Sequence, residues 1–503
     1  MEKLLVSITK LHDKYKNNSK TLEKIQYYID KQLPPLIEQY NKGLQNEILV
    51  EKESKHYIDK FLNCSNKQYF FIEKTEIFIS YDGENFQIIN EDDIWYTIYT
   101  DISKLPNLLD HKTKIKDKII KEIKQNILFN SMPESNTIQK TIRQYIPHLF
   151  DTKIEAKYFF SLLGDNILKT NKNIIHYCNE ECKPFFDNLN LLFKDYFGEN
   201  LNINHSFRFR YNEAHDYNNC RILKIKKDFA KDESYQQDTL LKNKHIFNLI
   251  SVSCHYSKRY GSSDKYLKNQ GTKQMIKNVY YLENKTGDKI IHDFLNNRNV
   301  FIEKQDSIIS KKDMYFLWIN FLKDLHLPNI LYKNTFFNII EKKLEFDTVF
   351  KNIHNKSLGI INQFKDFWNK NIDIGEMIND EYEISEILQL FKQTITGETA
   401  LDEDDIIHIV KYYYNHVNIN GKNINNIFSP LWDKNNDMRE AIMNKFNIDI
   451  TSNIKVFDAY CYYCNYAKNN KLIVSKKYFE KYINNIIPEQ FIENNYIKIE
   501  FWN

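Results

Sequence analysis

Arginine is scarce in this 503-residue chain, and five of its seven arginines fall in the middle, at Arg208, Arg210, Arg221, Arg259 and Arg298. A guanidinium is planar, always charged, and grips phosphate or carboxylate through two donors at once. Residues 205–260 add His205, Lys224, Lys226, Lys227 and Lys258, interleaved with Phe207, Phe209, Tyr211, Tyr217, Tyr256 and Tyr260. In Phe207-Arg208-Phe209-Arg210, strand alternation puts both arginines on one face and both rings on the other. Two chemistries fit this stretch. One is a grip on the nucleic-acid backbone with base stacking, using Arg208, Arg210, Arg221, Lys224, Lys226, Lys227, Lys258 and Arg259. The other is a set of buried structural ion pairs.

No intact catalytic motif is present. Cys178-Asn179-Glu180-Glu181-Cys182-Lys183 occupies a phosphate-loop position between a strand and a helix, but it has no glycine to wrap phosphate and two carboxylates to repel it. Nucleotide hydrolysis is therefore not expected. His176, Cys178 and Cys182, with Cys220 or Cys254, have the right atoms for zinc but not the C-x₂-C pairing, so no metal site and no cofactor is expected. Cys461 and Cys464 do form C-x-x-C, inside a predicted helix with no second pair, which reads as helical core thiols. Asp402-Glu403-Asp404-Asp405 reads as acid at a helix start.

A repeat stands out in the C-terminal half. Asp313, Tyr315, Trp318, Asn320, Phe321 and Lys323 match Asp458, Tyr460, Tyr463, Asn465, Tyr466 and Lys468 at a constant offset of 145. Both copies run through a polar loop into an aromatic pair, Phe336-Phe337 or Tyr478-Phe479, the second loop being three residues shorter. An acid-led aromatic helix, a turn and a second short helix suit a winged-helix or helix-turn-helix module. The second helix would begin with Lys333, Asn334 and Thr335 in one copy and Ser475, Lys476 and Lys477 in the other, adding Lys333, Lys476 and Lys477 to the nucleic-acid contacts. An alternative role for both copies is protein docking.

The elements that would position these groups follow from periodicity. Residues 1–62 predict helices, with Pro34-Pro35 stopping the second. Residues 63–133 predict a small α+β domain, whose strands near 69–89 form an antiparallel meander turned by Asp82-Gly83. Its helix from Lys112 to Lys124 carries a basic face, either phosphate-facing or a solvated cover over Ile115, Ile119, Ile120 and Ile123. Residues 134–300 predict a central domain, 301–392 one winged-helix-like module and 393–503 another. The fold class is mainly α and multi-domain.

Net charge is only +3, so any nucleic-acid contact must come from local patches. Eleven glycines and nine prolines, beside abundant Lys, Asn, Ile, Tyr and Phe, point to an A/T-rich genome. The polar start predicts no secretory leader, no apolar run is long enough to span a bilayer, and the seven cysteines predict reduced thiols.

His255-Tyr256-Ser257-Lys258-Arg259-Tyr260-Gly261-Ser262-Ser263-Asp264, within the stretch from Phe247, resembles proteins of mimivirus-like giant viruses, as do Asp313 to Asn329 and Val474 to Tyr482. More distantly, the chain is similar to the poxvirus-type primase–helicase, with Tyr81 to Ile102 like its small β-containing domain, Asn173 to Gly198 at the phosphate-loop place and Asp313 to Leu344 like its winged-helix tail. The missing phosphate-loop residues make it a non-catalytic relative. The resemblance implies the viral factory of the host cytoplasm or the virion. The expected role is a nucleic-acid-binding accessory factor in viral DNA replication or gene expression, working with other viral proteins and without a membrane. The alternative is a structural or scaffold protein of a large DNA virus.

Overall fold

The computed structural model describes residues 2–63, 67–170, 173–201, 203–210, 216–226, 243–296, 301–375, 378, 380–395, 400–443, 452–467 and 472–502. The protein is mainly helical with small sheets, and among the described residues no helix is long and apolar enough to cross a membrane. It forms two compact units, Met1–Thr286 with Leu322–Ile330, and Gly287–Phe321 with Leu331–Asn503.

The first unit opens on α1 (Glu2–Tyr15), α2 (Ser19–Tyr27) and α3 (Leu33–Asn63), a π turn at Tyr28–Gln32 joining the last two. The expectation that Pro34-Pro35 stops a helix is overturned. The helix runs on through both prolines, which directly follow the π turn, a local adjustment of the kind that accommodates missing N–H donors inside a continuous helix. Strands β1 (Gln68–Ile72), β2 (Ile77–Tyr81) and β3 (Phe86–Ile89) pair antiparallel in that order. Helices α4 (Glu91–Ile102) and α5 (Lys112–Gln125) pack beside them. Ile115, Ile119, Ile120 and Ile123 of α5 are buried, while Lys116 lies 4.1 Å from the Trp95 ring centre and Lys124 5.4 Å from that of Phe71. These lysines cover apolar surface with their stems.

Behind the sheet come α6 (Ser135–Tyr145) and α7 (Lys153–Ile167), the latter opened by a Thr152/Glu155 capping box. Then follow β4 (Ile175–Tyr177), α8 (Lys183–Phe197), the short α9 (Ile203–Ser206), β5 (Phe207–Arg208) and β6 (Cys220–Ile222). Pro184 lies in the first turn of α8, and Gly198 closes it at φ 66°. The three strands form a parallel sheet in the order β5-β4-β6. Helix α10 (Asn243–Tyr260) lies against α7, and α11 (Ser263–Gln270) and α12 (Lys273–Val279) follow. The α7–α10 contact is close because Gly164 has no side chain; a Cβ there would stand 2.1 Å from the Ser253 carbonyl oxygen. Beside it, buried Asp165 accepts from Ser257 Oγ at 2.6 Å and from the Ser263 N–H at 2.7 Å.

The second unit repeats one pattern three times: a helix, a strand, two helices and a return strand. The first copy is α13 (Gly287–Leu295), β7 (Phe301–Ser310), α14 (Lys311–Asp324), α15 (Lys333–Lys343) and β8 (Val349–Asn355). Here β8 pairs with β7 and, through one bridge, with Phe346. The second copy is α16 (Lys356–Asn371), β10 (Glu381–Glu383), α17 (Ile384–Thr394), α18 (Glu403–Tyr413), β11 (Asn418–Asn420) and β12 (Asn423–Asn425), with sheet order β10-β12-β11. A small pair, β9 (Asp373–Ile374) and β13 (Ile427–Phe428), flanks it. The third is α19 (Lys434–Met443), β14 (Ile454–Lys455), α20 (Val456–Tyr466), α21 (Lys476–Tyr482), β15 (Ile492–Glu493) and β16 (Tyr496–Ile497), with order β14-β16-β15. In each copy the first strand runs straight into its helix, at Lys311, Ile384 and Val456.

Two copies were expected and three are present. The offset of 145 skips the middle one, which carries Glu386, Leu388 and Phe391 where the others have Asp313, Tyr315, Trp318 and Asp458, Tyr460, Tyr463. The outer copies build the same ring cluster. Phe336 lies 5.7 Å from Tyr315 and 5.0 Å from Trp318, at 61° and 29°; Phe479 lies 5.5 Å from both Tyr460 and Tyr463, at 60° and 34°. Phe479 is therefore the counterpart of Phe336, and the second loop is shorter by two residues, not three. Lys468 and the three residues after it lie outside the described residues.

Candidate nucleic-acid interface

In the first unit, the residues expected to grip phosphate mostly hold groups of their own chain. Phe207 and Phe209 are buried, Arg208 is half-buried and Arg210 exposed, so the alternation is as read. Arg210 donates to Glu180 Oε1 at 2.7 and 3.0 Å. Arg221 is buried on β6. It donates to Asp264 at 3.1 and 3.4 Å and to the Asn218 and Cys220 carbonyls at 2.8 and 3.0 Å, under the Tyr280 ring 4.3 Å away. A guanidinium so enclosed has no face left for phosphate, which overturns its assignment as a contact. Lys224 and Lys226 both hold Asp151, at 3.1 and 2.6 Å, and that carboxyl is held below its ordinary range chiefly by the Lys226 hydrogen bond. Lys258 donates to the Phe129 carbonyl and Asn130 Oδ1. Arg259 is exposed, its guanidinium 5.5 Å from the Tyr260 ring centre. Lys227, like Arg298, lies outside the described residues. The acids that neutralise this stretch come from Glu180, Asp151 and Asp264, outside the segment that the sequence pattern singles out.

At the phosphate-loop place β4 leads into a short 3₁₀ turn, Glu180–Cys182, before α8. Burial pushes the Cys182 and Cys254 thiols up to about 12 and Cys220 to about 11, and lowers the His176 imidazole to about 4. Among the described residues no three His, Cys, Asp or Glu side chains are placed to hold a metal ion. A cleft of about 380 Å³ lies past the carboxyl end of β6, lined by Tyr158, Lys224, Asn278, Tyr281 and His326 among others.

In the second unit the equivalent second helices α15, α18 and α21 differ in what they show to solvent. Helix α15 buries Phe336 and Ile340 and exposes Asn334, Asn338 and Lys342 along the opposite face, while Lys333 is exposed at its first residue, on the side of Ile340. Lys333 stands 5.3 Å from the Tyr315 ring centre, and the neighbouring Lys343 lies 3.9 Å from Asp288. Helix α21 is capped by Ser475, which accepts from the Tyr478 N–H, and exposes Lys476, Lys477, Glu480 and Lys481. Two of those cations have internal partners: Lys476 meets Glu480 at 3.5 Å, and Lys481 meets Glu381 at 3.0 Å. Helix α18 is different in kind. Asp402 caps it in a capping box with Asp405, and its Tyr412 and Tyr413 rings lie 5.0 and 5.1 Å from Phe316 of the first copy. It is acidic at its start and covered at its end.

Sequence reasoning found the starts of α15 and α21. It missed Asn338 and Lys342, whose one-turn spacing after Asn334 was the available signal, and it missed the middle copy. No family model, curated protein or solved structure matches the chain.

Proposed function

We propose that the three repeats are winged-helix modules and that the chain is a nucleic-acid-binding accessory factor without nucleotide hydrolysis, acting in viral DNA replication or gene expression. Supporting the module reading is the strand order in each copy. The strand before the helix pair joins the last strand of the hairpin, and the hairpin's other strand lies at the edge. In such a module the second helix of the pair enters the major groove.

The observation that carries the reading is the exposed polar stripe of α15, Asn334, Asn338 and Lys342, on a helix whose opposite face is core, with exposed Lys333 at the helix start. Lysines at both ends suit phosphates, and two asparagines one turn apart suit adenine edges. Helix α21, with Lys476 and Lys477, is a second contact of the same kind. The test is oligonucleotide binding by fluorescence anisotropy across a salt series. Lys333→Ala with Lys342→Ala is expected to weaken all sequences alike and to lower the salt slope by about two. Asn334→Ala with Asn338→Ala is expected to weaken discrimination between sequences and leave the slope in place. Wild-type affinity in both variants would remove the proposal.

A further inference from the structure

The cleft past the carboxyl end of β6 has walls that the contacts on α15 and α21 do not use. Parallel sheets carry their ligands at that end, and the cleft's volume of about 380 Å³ falls within the roughly 300 to 1,000 Å³ of small-molecule sites. Its floor is apolar, with Phe150, Leu223 and Val279 all buried. The lining is gathered from α7, the end of β6, α12 and the segment around His326, so no sequence motif marks it.

The polar groups on its walls are of two kinds. The charged ones are engaged. Lys224, the one lysine or arginine lining the cleft among the described residues, holds Asp151 at 3.1 Å. Glu155 accepts from the main-chain N–H groups of Asp151 and Thr152 at 3.1 and 3.0 Å. A phosphate would find no free lysine or arginine here and would face the carboxylates of Glu155 and Asp324. The neutral groups are open. Gln274 and Asn278 stand one turn apart on α12, and Gln274 Nε2 donates to Asn278 Oδ1 at 3.0 Å. That bond leaves an acceptor, Gln274 Oε1, and a donor, Asn278 Nδ2, without partners among the described residues. Turning both amides over reverses the bond and still leaves one of each. Tyr158 of α7 adds a third group: it is 1% exposed, and its hydroxyl has no hydrogen-bond partner among the described residues. An unmet buried hydroxyl is costly, and a ligand that meets it removes the cost.

We infer that this cleft binds an adenine base, presented by a free nucleoside or by a nucleic-acid strand. Adenine is neutral and flat, carries a donor at N6 beside an acceptor at N7, and is read by the side-chain amides of Asn and Gln. The amide pair on α12 offers the complementary acceptor and donor, the apolar floor takes the ring, and the Tyr158 hydroxyl donates to a remaining ring nitrogen. Guanine presents two acceptors at the same edge, which sets its oxygen against Gln274 Oε1. The inference does not rest on the α15 and α21 contacts, so it stands or falls separately from the proposed function.

The experiment is equilibrium dialysis of the full-length chain against radiolabelled adenosine. Saturable binding is expected, with guanosine competing about tenfold more weakly. AMP should compete no better than adenosine, because its phosphate meets no free lysine or arginine. Gln274→Ala with Asn278→Ala should weaken adenosine about tenfold or more, and both side chains are exposed, so the fold survives their loss. Tyr158→Phe removes only the unmet hydroxyl and should weaken binding without lowering the melting temperature. Lys333→Ala with Lys342→Ala should leave adenosine affinity unchanged. A single-stranded oligo-dA and an abasic strand of the same length distinguish the two sources. Displacement of adenosine by oligo-dA alone assigns the cleft to a base of the strand, and displacement by neither assigns it to the free nucleoside. No adenosine binding, affinity unchanged in the amide variant, AMP competing better than adenosine, or displacement by the abasic strand overturns the inference.

Discussion

Arg221 and Arg210 each hold a carboxylate, and the solvent around each pair decides how much it stabilises the fold. Arg210 and Glu180 are both exposed, so water and salt screen them, and the pair contributes under about 1 kcal/mol. Arg221 is buried, and losing it would leave Asp264 and two carbonyls without their donor. Arg221→Ala is expected to cost roughly 3 to 5 kcal/mol, and Arg210→Ala to leave stability within about 1 kcal/mol. Denaturant unfolding of the two variants checks this; equal losses would mean that burial is not what separates the pairs. At this scale the sequence was partly legible. Period-two alternation placed Phe207 and Phe209 inside, because strand geometry is local. The partners of the cations were not readable. Asp264 is 43 residues from Arg221 and Glu180 is 30 from Arg210, and only the fold brings them together.

Helix α7 shows how one residue sets the distance between two elements. Its Gly164 faces the backbone of α10, where Ser253 and Ser257 keep the opposing surface small. An added methyl would meet a carbonyl oxygen and carbon of the main chain, at 2.1 and 2.6 Å, and neither can rotate away. The helices must separate, breaking the hydrogen bonds from Ser257 and Ser263 to Asp165. Gly164→Ala is therefore expected to destabilise the first unit by about 3 kcal/mol or more, despite alanine's better helix propensity. A melting temperature at or above wild type would show that the contact can relax. Sequence patterns also hid the middle module. Its Leu388 and Phe391 fill the places of Tyr315 and Trp318 with apolar groups of other shape, so the packing role persists while the aromatic signature does not. The prolines at 34 and 35 misled for a related reason. Proline ordinarily breaks a helix interior, and sequence alone did not show that a π turn just before the pair would let the helix continue through it.

Each of the two units has its own core, and the two respond to acid through different groups. In the first unit His176 is enclosed beneath the Phe207 ring, and burial lowers its pKa from 6.5 to about 4. The unfolded chain binds that proton near pH 6.5 and the folded chain does not, so stability falls with pH between 6.5 and about 4 and levels off below. The loss amounts to roughly 3 kcal/mol over that window. In the second unit, burial pushes the Asp313 carboxyl up, but hydrogen bonds from Ser310, Tyr413 and Lys365 outweigh it and hold it below its ordinary value. That stabilisation is complete above the unfolded carboxylate range near pH 4 and is lost only as pH falls further. Between pH 6.5 and 5, these two groups make only the first unit sensitive. Calorimetry over that interval should therefore show two transitions, with one moving down as pH falls. Gly164→Ala identifies the moving transition by lowering it at neutral pH, and Lys434→Met identifies the other by removing the partner of buried Glu386. In His176→Leu the pH dependence of the first transition should shrink by about one proton, since no imidazole remains to titrate. If both transitions shift together in every variant, the units unfold as one and their cores are not independent.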